Sequence, residues 1–368
     1  MVGENSFRSV ALFVTSHGFG HASRACAVAK ALTNIRPEVR FEIFSSIPPW
    51  YFSRTLDDFR FHQLNCDIGL VQHNALSTDI PPTLKALADE IPFKTTQITA
   101  LANKLADTHC ELVICDIAPI GIAAARAAGL PSVLIENFTW DWIYRSLAET
   151  HPAFLTYADV LEHVFASAQV HIQAAPVCNP ASSAIHVNPI ARSPRQNRDS
   201  TRKALGLQRQ TSMVFLTMGG VPQEYPFTSR LHQEFATIDF VIAGIGEKQQ
   251  WVAPNILLLP ANSEHYHPDL INAADAVIGK AGYSTIAEIY YNQVRFGYFV
   301  RQDYPEMQAL VNFLQHNTDG FALSVQDYMS GDWLSELENL LAIRPVCRQQ
   351  TVNGSSQVAQ LISGQLSI

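Results

Sequence analysis

Short apolar runs rich in β-branched and aromatic residues recur along this chain, and most are followed by a stretch with helical spacing. In the first half, residues 10–15, 40–44, 60–64, 112–115 and 132–135 read as strands. Helices are predicted over 25–32, 84–105 and 120–128. Pro82 lies near the start of the second, and Gly129-Leu130-Pro131 stops the third. Between Pro176 and Ser200 the texture changes. Pro176, Pro180, Pro189 and Pro194 accumulate there with Arg192, Arg195 and Arg198, and Arg202 follows, which reads as a linker and the entry to a second domain. The alternation then restarts, with strands over 213–217, 239–243, 256–259, 276–278 and 295–300 and helices over 268–273, 283–290 and 306–315. A last helical run covers 355–366.

Repeated strand–helix alternation is the mark of parallel, doubly wound α/β sheets. The expected architecture is two Rossmann-like domains facing each other across a cleft, residues 1–180 and 181–350, with a C-terminal helix in 351–368 returning to the first domain. At 368 residues, each half is large enough to bury a core.

Composition narrows the class. Apolar residues make up 47% and charged residues 16%, a globular profile. The net charge of −8 argues against a general nucleic-acid binder. The six cysteines form no CxxC pair, so buried free thiols are expected rather than a zinc site. No apolar stretch approaches the length of a membrane span, and the N-terminus does not read as a signal peptide. A cytoplasmic enzyme is the expectation, with peripheral membrane contact left open.

Two glycine turns carry the candidate chemistry. The first, Ser16-His17-Gly18-Phe19-Gly20-His21-Ala22-Ser23-Arg24, joins a strand to a helix. The second, Gly279-Lys280-Ala281-Gly282-Tyr283-Ser284-Thr285, does the same and leads to Glu288. Free backbone N–H groups and the positive end of a helix dipole meet anions at such turns. One turn per half suggests a diphosphate-bearing ligand held between two domains.

The first turn departs from the dinucleotide fingerprint GxGxxG. Ser23 stands where the third glycine belongs, and the second strand ends in Phe44-Ser45-Ser46 with no acidic residue for a ribose. A nicotinamide dehydrogenase is therefore disfavoured. His17, His21 and Arg24 take the fingerprint's place. An imidazole at a helix start suits a general base, and either histidine equally suits a turn cap. Asp116 ends the strand over 112–115, on the rim where His21 is expected. It suits an orienting partner for that histidine or a helix N-cap. Gly18 and Gly20 belong to a loop that meets a phosphate or an acceptor, with His17 and Arg24.

In the second half, the amides of Gly282, Tyr283, Ser284 and Thr285 are placed for a diphosphate, with Lys280 adding charge. Glu288 is placed for the hydroxyls of a ribose, or for a favourable position near a helix N-terminus. Gly219 and Gly220, after the strand over 213–217, form a second candidate phosphate loop. Arg301, Asp303, Glu306 and Gln308 follow the strand over 295–300 and suit sugar hydroxyls; an ordinary polar loop is the bland reading. Asn137, Trp140 and Asp141 follow the strand over 132–135 and suit an acceptor, with the indole stacking on a sugar or lipid or packing in the core. No Asp-x-Asp pair occurs, so no metal is expected on the diphosphate.

At these residues the chain resembles two-domain glycosyltransferases of the GT-B fold. The run 282–288 with Glu306-Met307-Gln308 is similar to the donor region of the bacterial lipid II N-acetylglucosaminyltransferases and of plant UDP-glycosyltransferases. That resemblance implies ribose binding by Glu288, donor-sugar binding by Glu306 and Gln308, a base at His21 and an orienting carboxylate at Asp116. A longer resemblance, to the glycosyltransferase-like N-terminal region of plant L-arabinokinases, rests on His17-Gly18-Phe19-Gly20-His21-Ala22, Asp67-Ile68-Gly69, Asn74-Ala75-Leu76-Ser77, Asn137-Phe138-Thr139-Trp140-Asp141 and Gly279-Lys280. The resemblance does not extend to the sugar-kinase part of those proteins, so kinase activity is not expected to carry over.

The resulting expectation is inverting, metal-independent transfer from a nucleotide-diphosphate sugar, UDP-linked, to the hydroxyl of a sugar, lipid or small molecule. The nucleotide-sugar is substrate, and no cofactor is expected. The alternatives are a nucleotide-sugar hydrolase or epimerase on the same fold, in which His21 activates water and Arg24 gains weight, and a non-catalytic nucleotide-sugar binder.

Overall fold

The computed structural model describes residues 7–74, 77–207, 211–219, 227–301, 304–349 and 351–366. The chain divides into two compact units. Unit 1 comprises Met1–Val71, Thr78–Ala191 and Thr351–Ile368, and unit 2 comprises Gln72–Ser77 and Arg192–Gln350.

In chain order the first elements are β1 (Arg8–Val14), α1 (Phe19–Ile35), β2 (Val39–Ser45), α2 (Pro49–Ser53), β3 (Phe59–Gln63) and the short β4 (Gln72–Asn74) and β5 (Ser77–Thr78). Next come α3 (Ile80–Glu90), α4 (Thr95–Asp107), β6 (Cys110–Asp116), α5 (Pro119–Ala128), β7 (Ser132–Glu136), α6 (Trp140–Ala148), α7 (Phe154–Phe165), β8 (Val170–Ala174) and β9 (Ile185–Val187). Unit 1 is a seven-stranded parallel sheet in the order β3-β2-β1-β6-β7-β8-β9. The runs Val10–Val14 and Leu112–Asp116 are buried throughout, because a parallel strand covered on both faces has no solvent side.

Unit 2 continues with α8 (Arg198–Leu205), β10 (Ser212–Thr217), α9 (Thr228–Glu234), β11 (Ile238–Ala243), β12 (Gln250–Ala253), β13 (Ile256–Leu259), α10 (His267–Ala273), β14 (Ala276–Lys280) and α11 (Tyr283–Asn292). It ends with β15 (Arg295–Phe299), α12 (Met307–Asn317), β16 (Gly320–Leu323), α13 (Val325–Ser330), a 3-10 turn (Asp332–Glu336) and α14 (Leu337–Ala342). Its sheet runs β12-β13-β11-β10-β14-β15-β16, parallel except for the edge strand β12. The last helix, α15 (Gly354–Gln365), packs on α1 in unit 1.

Two expectations need correction. The helix predicted over 84–105 is two helices, α3 and α4, separated at 91–94. Pro92 lacks the N–H a continuous helix needs and disfavours a helical residue before it. Residues 181–191, assigned by sequence to the second domain, lie in unit 1, where β9 pairs with β8. The arginines at the entry to the second domain are fixed in unit 2. Arg198 and Arg202 both pair with Asp275, Arg202 Nη2 at 2.6 Å, and the amides of Arg195 and Gln196 donate to Asp269 Oδ1 at 2.6 and 3.0 Å. Among the described residues no helix is long and apolar enough to cross a membrane.

Candidate active site

Among the parallel strands of each sheet the order reverses once, between β1 and β6 in unit 1 and between β10 and β14 in unit 2. Neighbouring connections leave such a point in opposite directions and open a crevice at the carboxyl ends of the strands. Both glycine turns begin at these points.

In unit 1, Gly18 (φ 75°) caps α1 in a backbone conformation that side chains rarely adopt. The turn brings His21 onto the first turn of α1, and Asp116 ends β6 directly opposite Val14. His21 Nδ1 lies 3.1 Å from Asp116 Oδ1. The imidazole remains partly exposed, whereas Asp116 is buried. Ser23, in the place of the fingerprint's third glycine, is buried and joins Phe19 O at 2.9 Å and Tyr51 Oη at 2.6 Å.

Arg24 departs from its expected place on a ligand-facing loop. It is 1% exposed and grips Asp116 at two points, Nε to Oδ2 and Nη2 to Oδ1, both 2.7 Å. Its Nη1 donates to Asn137 Oδ1 at 2.6 Å. Asn137 is fully buried, so it too is turned away from any acceptor. The helical spacing of three residues sets His21 and Arg24 side by side on the same carboxylate. Burial opposes the ionisation of Asp116, but the Arg24 guanidinium and His21 hold its carboxyl below the usual carboxylate range.

The tautomer of His21 follows from these contacts. Arg24 Nη2 stands 3.3 Å from His21 Nδ1 but already donates to Asp116 at the shorter distance. Asp116 Oδ1 is an acceptor facing the same ring nitrogen. A proton on Nδ1 satisfies that carboxylate and leaves the Nε2 lone pair free to take a proton.

His17 belongs to a second cluster. Its Nε2 lies 3.3 Å from Asp67 Oδ1, misaligned for a hydrogen bond, so both buried atoms lack one. Trp140 Nε1 donates to Asp67 Oδ2 at 2.6 Å, and Tyr144 Oη donates to Gly69 O at 2.8 Å. Gly69 (φ +56°) makes room for the His17 ring, since a Cβ there would lie 1.9 Å from Nε2. Trp140 is 1% exposed and stacks on Tyr144, so its indole packs in the core instead of offering a face to an acceptor. Asp141 is partly buried, with Oδ1 unpartnered, and faces a separate cavity.

In unit 2, Lys280 ends β14 and lies against Gly219 and Gly282. Gly282 caps α11, whose first residues are Tyr283, Ser284 and Thr285. Burial and the neighbouring Arg301 charge pull Lys280 down to about 8, against a smaller opposing effect of Glu306. Arg301 is buried with its guanidinium 4.3 Å from the centre of the Tyr304 ring, and Glu306 is buried at the N-cap of α12. Gln308 lies on an exposed part of the first turn of α12 and donates to Asn312 at 3.0 Å. Gly220 and Asp303 lie outside the described residues.

Glu288, expected at a ribose, is 1% exposed. Oε1 accepts from Arg192 Nε at 2.9 Å, and Oε2 pairs with His267 Nδ1 at 2.8 Å. Burial opposes its charge, but Arg192 and His267 hold the carboxyl low. The half-buried imidazole of His267 stands between Glu288 and the end of β10, with Nε2 3.3 Å from Thr217 Oγ1. His267 therefore takes the more accessible position. Sequence reading missed it, along with Asp67 and the structural part played by Arg24. The signal for Asp67 was its place in a resemblance string. His267 carried none, since its partner lies 21 residues away.

A family model described as glycosyl transferase family 1 matches residues 10–296. The L-arabinokinase of Arabidopsis thaliana is 26% identical over 361 residues, 96% of this chain and 34% of that protein. The chain thus spans about a third of the length of that curated relative. Among solved structures, MurG of Acinetobacter baumannii aligns with a TM-score of 0.58 at 17% identity, covering 97% of this chain and 99% of that one. The calicheamicin glycosyltransferase CalG4 gives 0.62 at 14% identity, covering 98% and 100%. A UDP-glucosyltransferase of Polygonum tinctorium gives 0.58 at 12% identity, covering 97% and 98%. At such identities the structural likeness establishes the fold, two α/β units of the GT-B type. By its family match over most of its length, the chain belongs to glycosyl transferase family 1 and is a glycosyltransferase.

Proposed function

We propose that the chain transfers a glycosyl group from a nucleotide-diphosphate sugar, UDP-linked, to an acceptor hydroxyl with inversion at the anomeric carbon. The observation that carries this reading is the His21–Asp116 pair, 3.1 Å apart at the reversal point of unit 1. His21 Nε2 accepts the acceptor's proton as its oxygen attacks C1, and the nucleotide diphosphate leaves. Asp116 keeps the proton on Nδ1. Since Arg24 neutralises Asp116, the pair supplies orientation more than net charge.

The donor belongs to unit 2. The N-terminus of α11, with Lys280 and Arg301, offers amides, a helix dipole and cations to the leaving diphosphate, so no metal is required. His267, held by Glu288, is the ribose or phosphate contact, with Glu288 acting behind it. Glu306 and Gln308 are assigned to the donor sugar. His17, steadied by Gly69 and Trp140, is assigned to the acceptor.

The test is release of UDP from UDP-sugars, with and without a panel of acceptor alcohols and sugars. Release that depends on an acceptor, with a glycoside formed, supports transfer. Equal release without acceptor replaces it with hydrolysis, and binding without any turnover replaces it with a nucleotide-sugar sensor.

A further inference from the structure

His17 and His21 share one glycine turn, yet each faces its own carboxylate. Asp116 meets Nδ1 of His21, whereas Asp67, which is 5% exposed, meets Nε2 of His17 at 3.3 Å. Both atoms of the second pair are buried and neither has a hydrogen bond. Two opposed lone pairs at that distance repel, so the proton of a neutral His17 belongs on Nε2, on the side of the carboxylate. Asp67 is itself fixed, because its Oδ2 accepts from Trp140 Nε1 at 2.6 Å. Gly69 closes off the Nε2 end of the ring, where a Cβ would come within 1.9 Å of that nitrogen, and its carbonyl accepts from Tyr144 Oη at 2.8 Å. Trp140 and Tyr144 lie one turn apart on α6, so one helix anchors both the carboxylate and the backbone that hold the imidazole.

The other ring nitrogen is open. The His17 side chain is 20% exposed although Nε2 is buried, and Nδ1 is neither buried nor hydrogen-bonded among the described residues. With the proton on Nε2, Nδ1 carries a lone pair. The His17 ring meets Trp140 at 5.0 Å between centroids, Trp140 meets Phe138 at 5.2 Å, and Phe138 meets the His21 ring at 6.0 Å. A continuous row of aromatic contacts in unit 1 thus joins two imidazoles held in opposite tautomers.

We propose that Asp67 is a positioning residue for the transfer: by holding the proton on His17 Nε2, it presents Nδ1 to the acceptor substrate as a hydrogen-bond acceptor. The substrate touches Nδ1 only, and the buried Nε2 and Asp67 act behind it. The acceptor that fits carries an O–H or N–H donor besides the hydroxyl that is glycosylated, as a sugar or polyol does and a monohydric alcohol does not. This inference rests on the transfer reading and on the place of His17 on the acceptor side.

The first test needs no substrate. Long-range proton–nitrogen correlation spectra of the full chain, at about pH 8 where imidazoles of ordinary basicity are neutral, should show the His17 proton on Nε2, with the signals assigned by their loss in His17→Ala. A proton on Nδ1 overturns the proposal. Asp67→Asn keeps an acceptor for Trp140 and turns its amide N–H toward Nε2, so His17 should change tautomer and Nδ1 become a donor. With a sugar acceptor, KM for the acceptor should then rise about tenfold while KM for the donor holds, and Asp67→Asn should add nothing in the His17→Ala background. An unchanged acceptor KM, or an equal loss in that background, shows Asp67 to be merely structural and overturns the proposal. Should Asp67→Asn fail to fold, the parent spectrum and the selectivity of His17→Ala decide: that variant should lose the parent's preference for polyols over monohydric alcohols, and a kept preference overturns the proposal. Equal UDP release without acceptor, with the proton found on Nε2, removes the transfer reading and the substrate role of Nδ1 with it, but leaves the Asp67–His17 pair standing.

Discussion

Arg24 holds Asp116 at two points, 2.7 Å each, with both residues 1% exposed, so the carboxylate that faces His21 is already half of a buried ion pair. In the proposed transfer, basicity then rests on the tautomer and position of His21, not on an excess negative charge behind it, and one carboxylate serves both the fold of unit 1 and the proposed chemistry.

Removing one member of that pair leaves the other buried and uncompensated. Arg24→Met should destabilise the chain by about 3–5 kcal/mol, measured by urea unfolding. The double variant Arg24→Met, Asp116→Asn should recover a substantial part of that loss. Additive losses would show that the two residues are not energetically coupled.

Under the proposed role of the imidazole as base toward the acceptor, His21→Ala should reduce kcat by about 100- to 10,000-fold and leave the affinity for UDP nearly unchanged. Steady-state turnover with calorimetry separates the two quantities. A variant with full turnover removes His21 as the base.

If Lys280, pulled down to about 8 by burial and Arg301, holds the donor diphosphate as proposed, donor binding is pH-dependent. Below that value the amine is cationic and attracts the diphosphate; as pH rises through it, the free protein loses the charge and affinity for UDP should fall. Binding in that window should also take up a proton, visible as a dependence of the calorimetric heat on buffer. Lys280→Met should bind more weakly below pH 8 and lose the pH dependence; an unchanged profile would assign it to another group.

Acid stability follows from Asp116 and Glu288, both held below their ordinary values of 3.8 and 4.5 in the folded chain. A depressed folded pKa means that the unfolded chain takes up protons first, so stability is full above the ordinary carboxylate range and drains as pH falls through it. Urea midpoints should stay level down to about pH 5 and fall below about pH 4. Glu288→Gln should show a shallower acid limb, and the same steepness as the parent would exclude that group as a contributor.

Gly69→Ala should displace the His17 ring, because a Cβ there lies 1.9 Å from Nε2 and the backbone sits at φ +56°. A loss of about 1–3 kcal/mol is expected, with a raised KM for the acceptor if His17 contacts it. A shift in KM for the donor alone would move His17 out of the acceptor assignment.

The apolar runs and glycine turns, by themselves, predicted two largely parallel α/β sheets and singled out the turns that lie at their reversal points. Those features are local, set by strand length, helix spacing and backbone freedom within a few residues. Strand-end placement anticipated the His21–Asp116 pair; tertiary packing alone decided which other polar groups meet. Arg24 turned inward to Asp116 and Asn137, Trp140 donated to Asp67, and Glu288 was sealed behind His267 and Arg192. Partners that stand 73 to 113 residues apart leave no mark on spacing along the chain. A carboxylate drawn in sequence as reaching for a ligand is equally suited to a buried cation, and only the shielding of that charge by its neighbours in the fold selects between the two.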